Sequence, residues 1–128
     1  MGSEMCIRDR NSAKLNIDLN AKDNFGGTAF HYACSHSHAK VAEIIMKNSA
    51  KFNIELNAKN NDGLTAFHYA CSWGRTSIVD MMIVKFKSLK LDLTARAKSG
   101  RTGFQLAQYY GETDVVNLIQ TKKPQFAF

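Results

Sequence analysis

The chain has 128 residues and a formal net charge of +6, with 45% hydrophobic and 22% charged residues. This balance is typical of a globular chain rather than a disordered one, and no apolar run approaches the roughly 18 residues that span a bilayer. The basic excess is too small to indicate nucleic-acid binding by itself. Three cysteines are too few for a disulfide scaffold, so we expect a reducing, intracellular and cytoplasmic location.

The first ten residues, Met-Gly-Ser-Glu-Met-Cys-Ile-Arg-Asp-Arg, share no pattern with the rest of the chain. They match the translation of a transposase sequencing adapter read from a GTG start codon. We therefore interpret residues 1–10 as an adapter-derived, non-native tail and leave them out of the fold prediction. On this interpretation the native sequence starts at about Asn11, inside a repeat, and its true N-terminus is missing.

An internal repeat begins with Thr-Ala-Phe-His-Tyr-Ala-Cys, which stands at Thr28 and again, 37 residues later, at Thr65. A degenerate third copy starts at Thr102, after the same interval, and residues 11–22 resemble residues 48–59. Identity over seven residues at a fixed interval indicates a repeat protein. The predicted segments are 11–27 (tail of a truncated repeat plus turn), 28–64 and 65–101 (full repeats), 102–123 (C-terminal capping repeat) and 124–128 (tail).

Each copy predicts the same elements in the same order. A polar turn contains a glycine that permits positive φ, and a threonine then caps a short helix. That helix ends near Ser37, Gly74 or Gly111, as a C-terminal turn requires. A second helix follows, with an apolar stripe at helical spacing. The stripe is predicted at Val41, Ile44 and Ile45, then at Ile78, Met81 and Met82, then at Val115, Leu118 and Ile119.

The Thr-Ala-Phe-His-Tyr-Ala motif resembles the Thr-Pro-Leu-His-x-Ala signature of the ankyrin repeat. Ala29 and Ala66 stand where the signature has proline, at a first-turn position that tolerates the exchange. The resemblance covers about residues 11–123. It implies an all-α fold, an ankyrin-repeat solenoid of stacked helix-turn-helix units joined by β-hairpin-like turns. Such short helices bury their apolar faces only by stacking on neighbouring repeats.

Two departures from the family pattern are informative. The repeat is 37 residues long, whereas the family has 33, and the extra residues fall after the second helix. Four residues are close to one helical turn, which predicts either a longer second helix or a larger loop on the convex side, covered by Phe52 and Leu89. The third copy has Gly103 and has Gln105 in place of His, which favours a C-terminal capping repeat.

The residues of the motif itself are interpreted as structural, since they recur in each repeat while a catalytic group is expected once. The resemblance implies that His31 and His68 hydrogen-bond the loops between repeats. Cys34 and Cys71 occupy a small buried position, where a cysteine behaves as an apolar side chain. The structural residues are Gly26, Thr28, His31, Gly63, Thr65, His68, Gly100 and Thr102.

Metal binding and catalysis are not expected from this chain. His31, Cys34, His36 and His38 lie close together in sequence and raise the possibility of zinc. Their directions diverge on a helix, and structural zinc sites normally use two paired ligand sets. No base is paired with a nucleophile. We therefore predict no catalytic residue, no metal and no cofactor.

The resemblance also implies a partner-binding surface on the turn tips and the concave face of the first helices. His36, Trp73 and Tyr110 stand 37 residues apart, so stacking would align them as binding anchors. Trp73 is either such an anchor or a packing residue on the next repeat. The predicted contacts are Asn24, Phe25, Gly27, Ser35, His36, Asn61, Asp62, Leu64, Ser72, Trp73, Lys98, Ser99, Arg101, Tyr109 and Tyr110.

Two functions fit this prediction. The first is a protein-interaction scaffold or adaptor without chemistry of its own. The second is the regulatory or targeting region of a larger enzyme, of kinase or ligase type, with its catalytic domain upstream. From Thr65 onward there are nine Lys or Arg against four Asp or Glu, which indicates a solvated basic edge or an acidic protein partner. No nucleic acid, membrane or small-molecule substrate is expected.

Overall fold

The computed structural model describes residues 18–122, which form six α-helices and, within that range, no β-strand. The all-α prediction is therefore confirmed. The adapter interpretation for residues 1–10, the start of the truncated repeat at 11–17 and the tail from residue 123 lie outside the described residues. The helices are α1 (Ala29–Ser35), α2 (Ala39–Lys47), α3 (Ala66–Ser72), α4 (Thr76–Leu89), α5 (Gly103–Tyr109) and α6 (Thr113–Lys122).

The helices form three pairs that stack in chain order. The first helices contact one another, α1 with α3 and α3 with α5, and so do the second helices, α2 with α4 and α4 with α6. The small side chains of Ala33, Ala70 and Ala107 are buried in the core, and small residues let neighbouring helices approach closely. None of the helices within residues 18–122 is long and apolar enough to cross a membrane.

Each first helix begins with the same cap. The hydroxyl oxygen of Thr28 accepts a hydrogen bond from the backbone N–H of His31, and the His31 side chain accepts one from the backbone N–H of Thr28. Thr65 and Thr102 form the same reciprocal pair with residues 68 and 105. This arrangement satisfies two of the N–H groups that a helix start leaves without partners.

Hairpin-like turns precede the first helices and bond to one another along the stack. In the turn of the first repeat, the N–H of Asp23 donates to the carbonyl of Gly27 at 3.0 Å. The N–H of Asn61, in the next turn, donates to the carbonyl of Phe25 at 3.0 Å. Gly26 has φ of +80°, and a Cβ there would lie 2.7 Å from the backbone nitrogen of Asn61. Glycine is therefore needed both for the conformation and for the close approach.

The extra residues take a different form in each full repeat, so both alternatives from the sequence occur. Helix α4 has 14 residues and α2 has 9, and α2 is followed by turns through residue 53. The amide of Asn48 donates to the carbonyl of Ile44 at 2.8 Å. The hydroxyl of Ser49 donates to the carbonyl of Met46 at 2.9 Å. Side chains that compete for backbone groups in this way favour helix ends.

The predicted apolar stripe of the first repeat is wrong at two of its three positions, whereas Ile45 packs against the core. Val41 and Ile44 are 48% and 51% exposed, whereas Ala42 and Met46 are buried. Ile78, the equivalent of Val41, is buried in α4, and α4 packs against a second helix on each side. Within residues 18–122, α2 contacts only one other second helix, so the opposite side of α2 has no helix to cover it.

Gly103 allows close packing between α5 and α3, a role that the sequence motif does not predict. A Cβ at this position would lie 2.8 Å from Cδ2 of Phe67 and 3.1 Å from Sγ of Cys71. Both distances are shorter than ordinary carbon contacts. The absence of a side chain at Gly103 therefore allows α5 to pack closely against α3.

Candidate functional site

The motif histidines connect neighbouring repeats. Nε2 of His31 donates to the carbonyl of Leu64 at 2.9 Å, and Nε2 of His68 donates to the carbonyl of Arg101 at 3.1 Å. Because a carbonyl only accepts, each Nε2 carries the proton and each Nδ1 accepts from a threonine N–H. Burial lowers the pKa of both histidines by disfavouring the charged form. Their geometry is that of neutral structural bridges.

The cysteines and the remaining histidines do not assemble into a reactive cluster. Cys34 and Cys71 are buried free thiols, and burial raises the pKa of each, which keeps them protonated and unreactive. His36 and His38 are exposed, with ring centres 6.2 Å apart. No three His, Cys, Asp or Glu side chains between residues 18 and 122 are grouped so as to hold a metal ion.

The predicted column stands at equivalent places in the three repeats. His36, Trp73 and Tyr110 are the C-cap residues of α1, α3 and α5. Trp73 and Tyr110 are each 59% exposed. We call the surface formed by these three helices, including their C-terminal ends, and by the turn tips that precede them the first-helix face.

Further aromatic groups lie on this face. Tyr109 packs edge-on against Tyr110 with ring centres 4.9 Å apart, and the guanidinium carbon of Arg101 lies 4.3 Å from the centre of the Tyr109 ring. Phe25 is 74% exposed at a turn tip. Tyr32, which was not among the predicted contacts, donates from its hydroxyl to the carboxylate of Asp23.

The turn tips expose most of the contacts predicted there. Asn24, Phe25, Asn61, Asp62, Lys98 and Ser99 are all exposed. The Asn61 amide is already engaged, because it donates to the carbonyl of Asn24 at 3.0 Å. Gly27, which was also predicted, is buried, and a Cβ there would lie 3.4 Å from the ring of Tyr32.

Four predicted contacts come together in one groove between α3 and α5. We call it the α3–α5 groove; it has a volume of about 430 Å³. It is lined by Leu64, Ser72, Trp73 and Tyr110, which were predicted, and by Tyr69, Leu106 and Glu112, which were not. Tyr69 belongs to the repeated motif, and Glu112 follows α5 at a position outside the predicted set. Alignment of the three copies would have revealed Glu112, because Arg75 occupies the same position one repeat earlier.

The comparison with known families agrees with the architecture. A family model of ankyrin repeats, in three copies, matches residues 5–89, whereas no curated protein matches the chain. The match starts within residues 1–10, so their adapter origin stays a prediction. It stops before α5 and α6, which nevertheless repeat the cap and the stacking of the first two pairs. Because the match covers more than half of the chain, this protein belongs to the ankyrin repeat family.

Proposed function

We propose that this chain is a protein-interaction module, without chemistry of its own, and that it binds its partner through the first-helix face. Ankyrin repeats are in general protein–protein interaction modules. The observation that carries the proposal for this surface is the exposure of Trp73 and Tyr110 at equivalent helix ends. Large exposed aromatic groups that line up along one face are typical of binding anchors.

The surroundings of Trp73 support anchoring rather than packing on the next repeat. Its ring remains more than half exposed although a helix pair stacks on either side of α3 and α4. The Trp73 ring contacts the guanidinium of Arg75, whose central carbon lies 5.9 Å from the ring centre. A ring held in this way at the surface already has much of the order that binding requires.

The charge of the turn tips favours an acidic segment in the partner. The three turns contain five basic side chains but only two acidic ones, Asp23 and Asp62. Lys22 and Lys59 each donate to the backbone carbonyl of the next turn, at 3.0 and 3.3 Å, which fixes their positive charges along the row. Complementary charge of this kind raises association rates and orients the partner.

The proposal is tested by selecting peptides from a random display library on the full chain and mapping where they bind. NMR shift changes on titration of a selected peptide are expected at Phe25, Trp73 and Tyr110. Lys85 and Lys87, on the second helix α4, provide the comparison and are expected to remain unchanged. Shift changes confined to α2, α4 and α6 would show that the first-helix face is not the binding surface.

A further inference from the structure

The α3–α5 groove has a counterpart one repeat earlier that is nearly closed. Gly27, Tyr32, Ser35 and Tyr69 occupy the equivalent positions between α1 and α3. These residues line a cavity of about 70 Å³, against about 430 Å³ for the α3–α5 groove. Two copies of one repeat thus differ several-fold in the space between their first helices.

Two of the positions that differ between the copies are 106 and 112. Leu106 stands where Tyr69 lines the earlier cavity, and Glu112 stands one repeat after Arg75, which does not line that cavity. Nε of Arg75 donates to the carbonyl of Ser35, at the end of α1, at 3.0 Å. The chain's own guanidinium thus binds the helix end there, beside the Trp73 ring. A cation near the last carbonyls of a helix is favourable, since that end carries partial negative charge.

Glu112 reverses the charge at this position in the open groove. Its carboxylate lies against the end of α3, so closely that a Cβ on Gly74 would collide with it. Among residues 18–122, no side chain or N–H group forms a hydrogen bond or ion pair with this carboxylate. The groove therefore combines an uncompensated negative charge with the rings of Trp73, Tyr69 and Tyr110.

We propose that the α3–α5 groove binds an arginine side chain of the partner protein, with the guanidinium between the aromatic rings and the carboxylate of Glu112. This inference rests on the proposed function and specifies the chemistry of the partner. A guanidinium stacks on aromatic faces and donates to a carboxylate through a planar fork, which a compact ammonium cannot do equally well. One repeat earlier, Arg75 places the same group against the end of α1, where its Nε donates to the carbonyl of Ser35.

The net charge of +6 does not prevent this interaction at physiological salt. Charges separated by more than about 8 Å are largely screened there, and Glu112 is the one charged residue among those that line the groove. An acidic segment at the turn tips and an arginine in the groove are compatible within one partner, since they contact different parts of the first-helix face.

The chain contains one tryptophan, Trp73, so its fluorescence reports directly on this groove. The experiment titrates the full chain at 0.15 M salt with blocked pentapeptides, Gly-Gly-Xaa-Gly-Gly, in which Xaa is arginine, norleucine or glutamate. The arginine peptide is expected to bind about fivefold more tightly than the norleucine peptide, which has a similar stem without the charge. The glutamate peptide is expected to bind more weakly than either.

Matched variants separate the carboxylate from general charge. Glu112→Gln is expected to weaken the arginine peptide about fivefold and to leave the norleucine peptide unchanged. Asp114→Asn removes the same charge two residues away, outside the α3–α5 groove, and is expected to have no effect. Glu112→Arg, which copies the earlier repeat, is expected to abolish arginine binding. Thermal melts of each variant verify that it is folded.

Three results would overturn the inference. Equal binding of arginine and norleucine would show an apolar groove without charge preference. Tighter binding of the glutamate peptide would show that the basic turn tips decide. A linear, unsaturated response to the arginine peptide up to about 20 mM would show that no site exists. Each result leaves the proposed function testable by itself, because selected peptides are mapped to the first-helix face without reference to arginine.

Discussion

Gln105 forms the same backbone cap that His68 forms one repeat earlier. Oε1 of Gln105 accepts from the N–H of Thr102 at 3.0 Å, as Nδ1 of His68 accepts from the N–H of Thr65 at 3.0 Å. The cap therefore does not require an imidazole. What His68 adds is the second ring nitrogen, which donates to the carbonyl of Arg101 in the next turn. Histidine in this motif serves the junction between repeats rather than the helix alone.

This difference predicts how stability depends on pH. Burial lowers the pKa of His31 and His68 below the ordinary value of 6.5, so the unfolded chain binds protons at these positions before the folded chain does. Their contribution is complete above about pH 6.5 and is lost as the pH falls through the lowered folded-state values. The free energy of unfolding, measured by urea titration at several pH values, is expected to fall on acidification from pH 7.

Replacing both histidines by glutamine, the residue already used at position 105, is the decisive variant. The double variant is expected to be less stable at pH 7.5 by about 1–3 kcal/mol, because two hydrogen bonds between repeats are weakened. Its stability is expected to change less between pH 7 and pH 5. The exposed pair His36 and His38, replaced by glutamine, serves as the control. An equally steep pH profile in the His31/His68 variant would contradict the assignment.

Gly103→Ala is expected to destabilise the chain although alanine favours helices. Helix propensity favours alanine over glycine by about 1 kcal/mol in a helix interior and by less at the first helical position, where Gly103 stands. The added methyl would meet the Phe67 ring at 2.8 Å, and such overpacking costs roughly 1–3 kcal/mol. We expect a net loss of about 1 kcal/mol in thermal or urea unfolding. Ala66→Gly, at the equivalent position one repeat earlier, is the paired variant, and a rise in stability for Gly103→Ala would refute the packing argument.

The side chain of Asn57 connects its own loop to the loop that follows α4. Its amide donates to the carbonyl of Lys90 at 2.9 Å and its oxygen accepts from the N–H of Asp92 at 2.9 Å. Asn57→Ala is expected to reduce the free energy of unfolding by about 1–2 kcal/mol. Asn24→Ala is the control, because Asn24 contributes a backbone carbonyl to the next turn. Equal effects of the two variants would show that the Asn57 bridge adds no stability.

Much of the fold can be predicted from the sequence, because the same pattern of residues occurs in three copies of the repeat. The threonine caps, the turn glycines and the short first helices recur with nearly identical residues, and the structure has them at the predicted positions. The second helices are less constrained, since the run from Val41 to Met46 is apolar in two adjacent registers. In the structure Ala42 and Met46 are the buried residues of this run, because the neighbouring helices determine which side of α2 is covered.

The candidate surface was predictable to the extent that it follows the repeat. The positions of His36, Trp73 and Tyr110 are related by the repeat interval alone. The sequence prediction does not include Glu112, because an acidic residue just before a helix is common and favourable there. Its meaning emerges only from comparison with Arg75 and from the different volumes of the two grooves, which depend on packing.

The most direct test of the binding surface is the affinity of a library-selected peptide for Trp73→Ala. We expect the Kd to rise at least about tenfold, equivalent to about 1.4 kcal/mol, while the melting temperature changes little because the ring is largely exposed. Lys85→Ala combined with Lys87→Ala, on α4, is expected to change neither quantity. If Trp73→Ala instead melts early and binds the peptide normally once folded, Trp73 is a packing residue and the first-helix face is not centred on it.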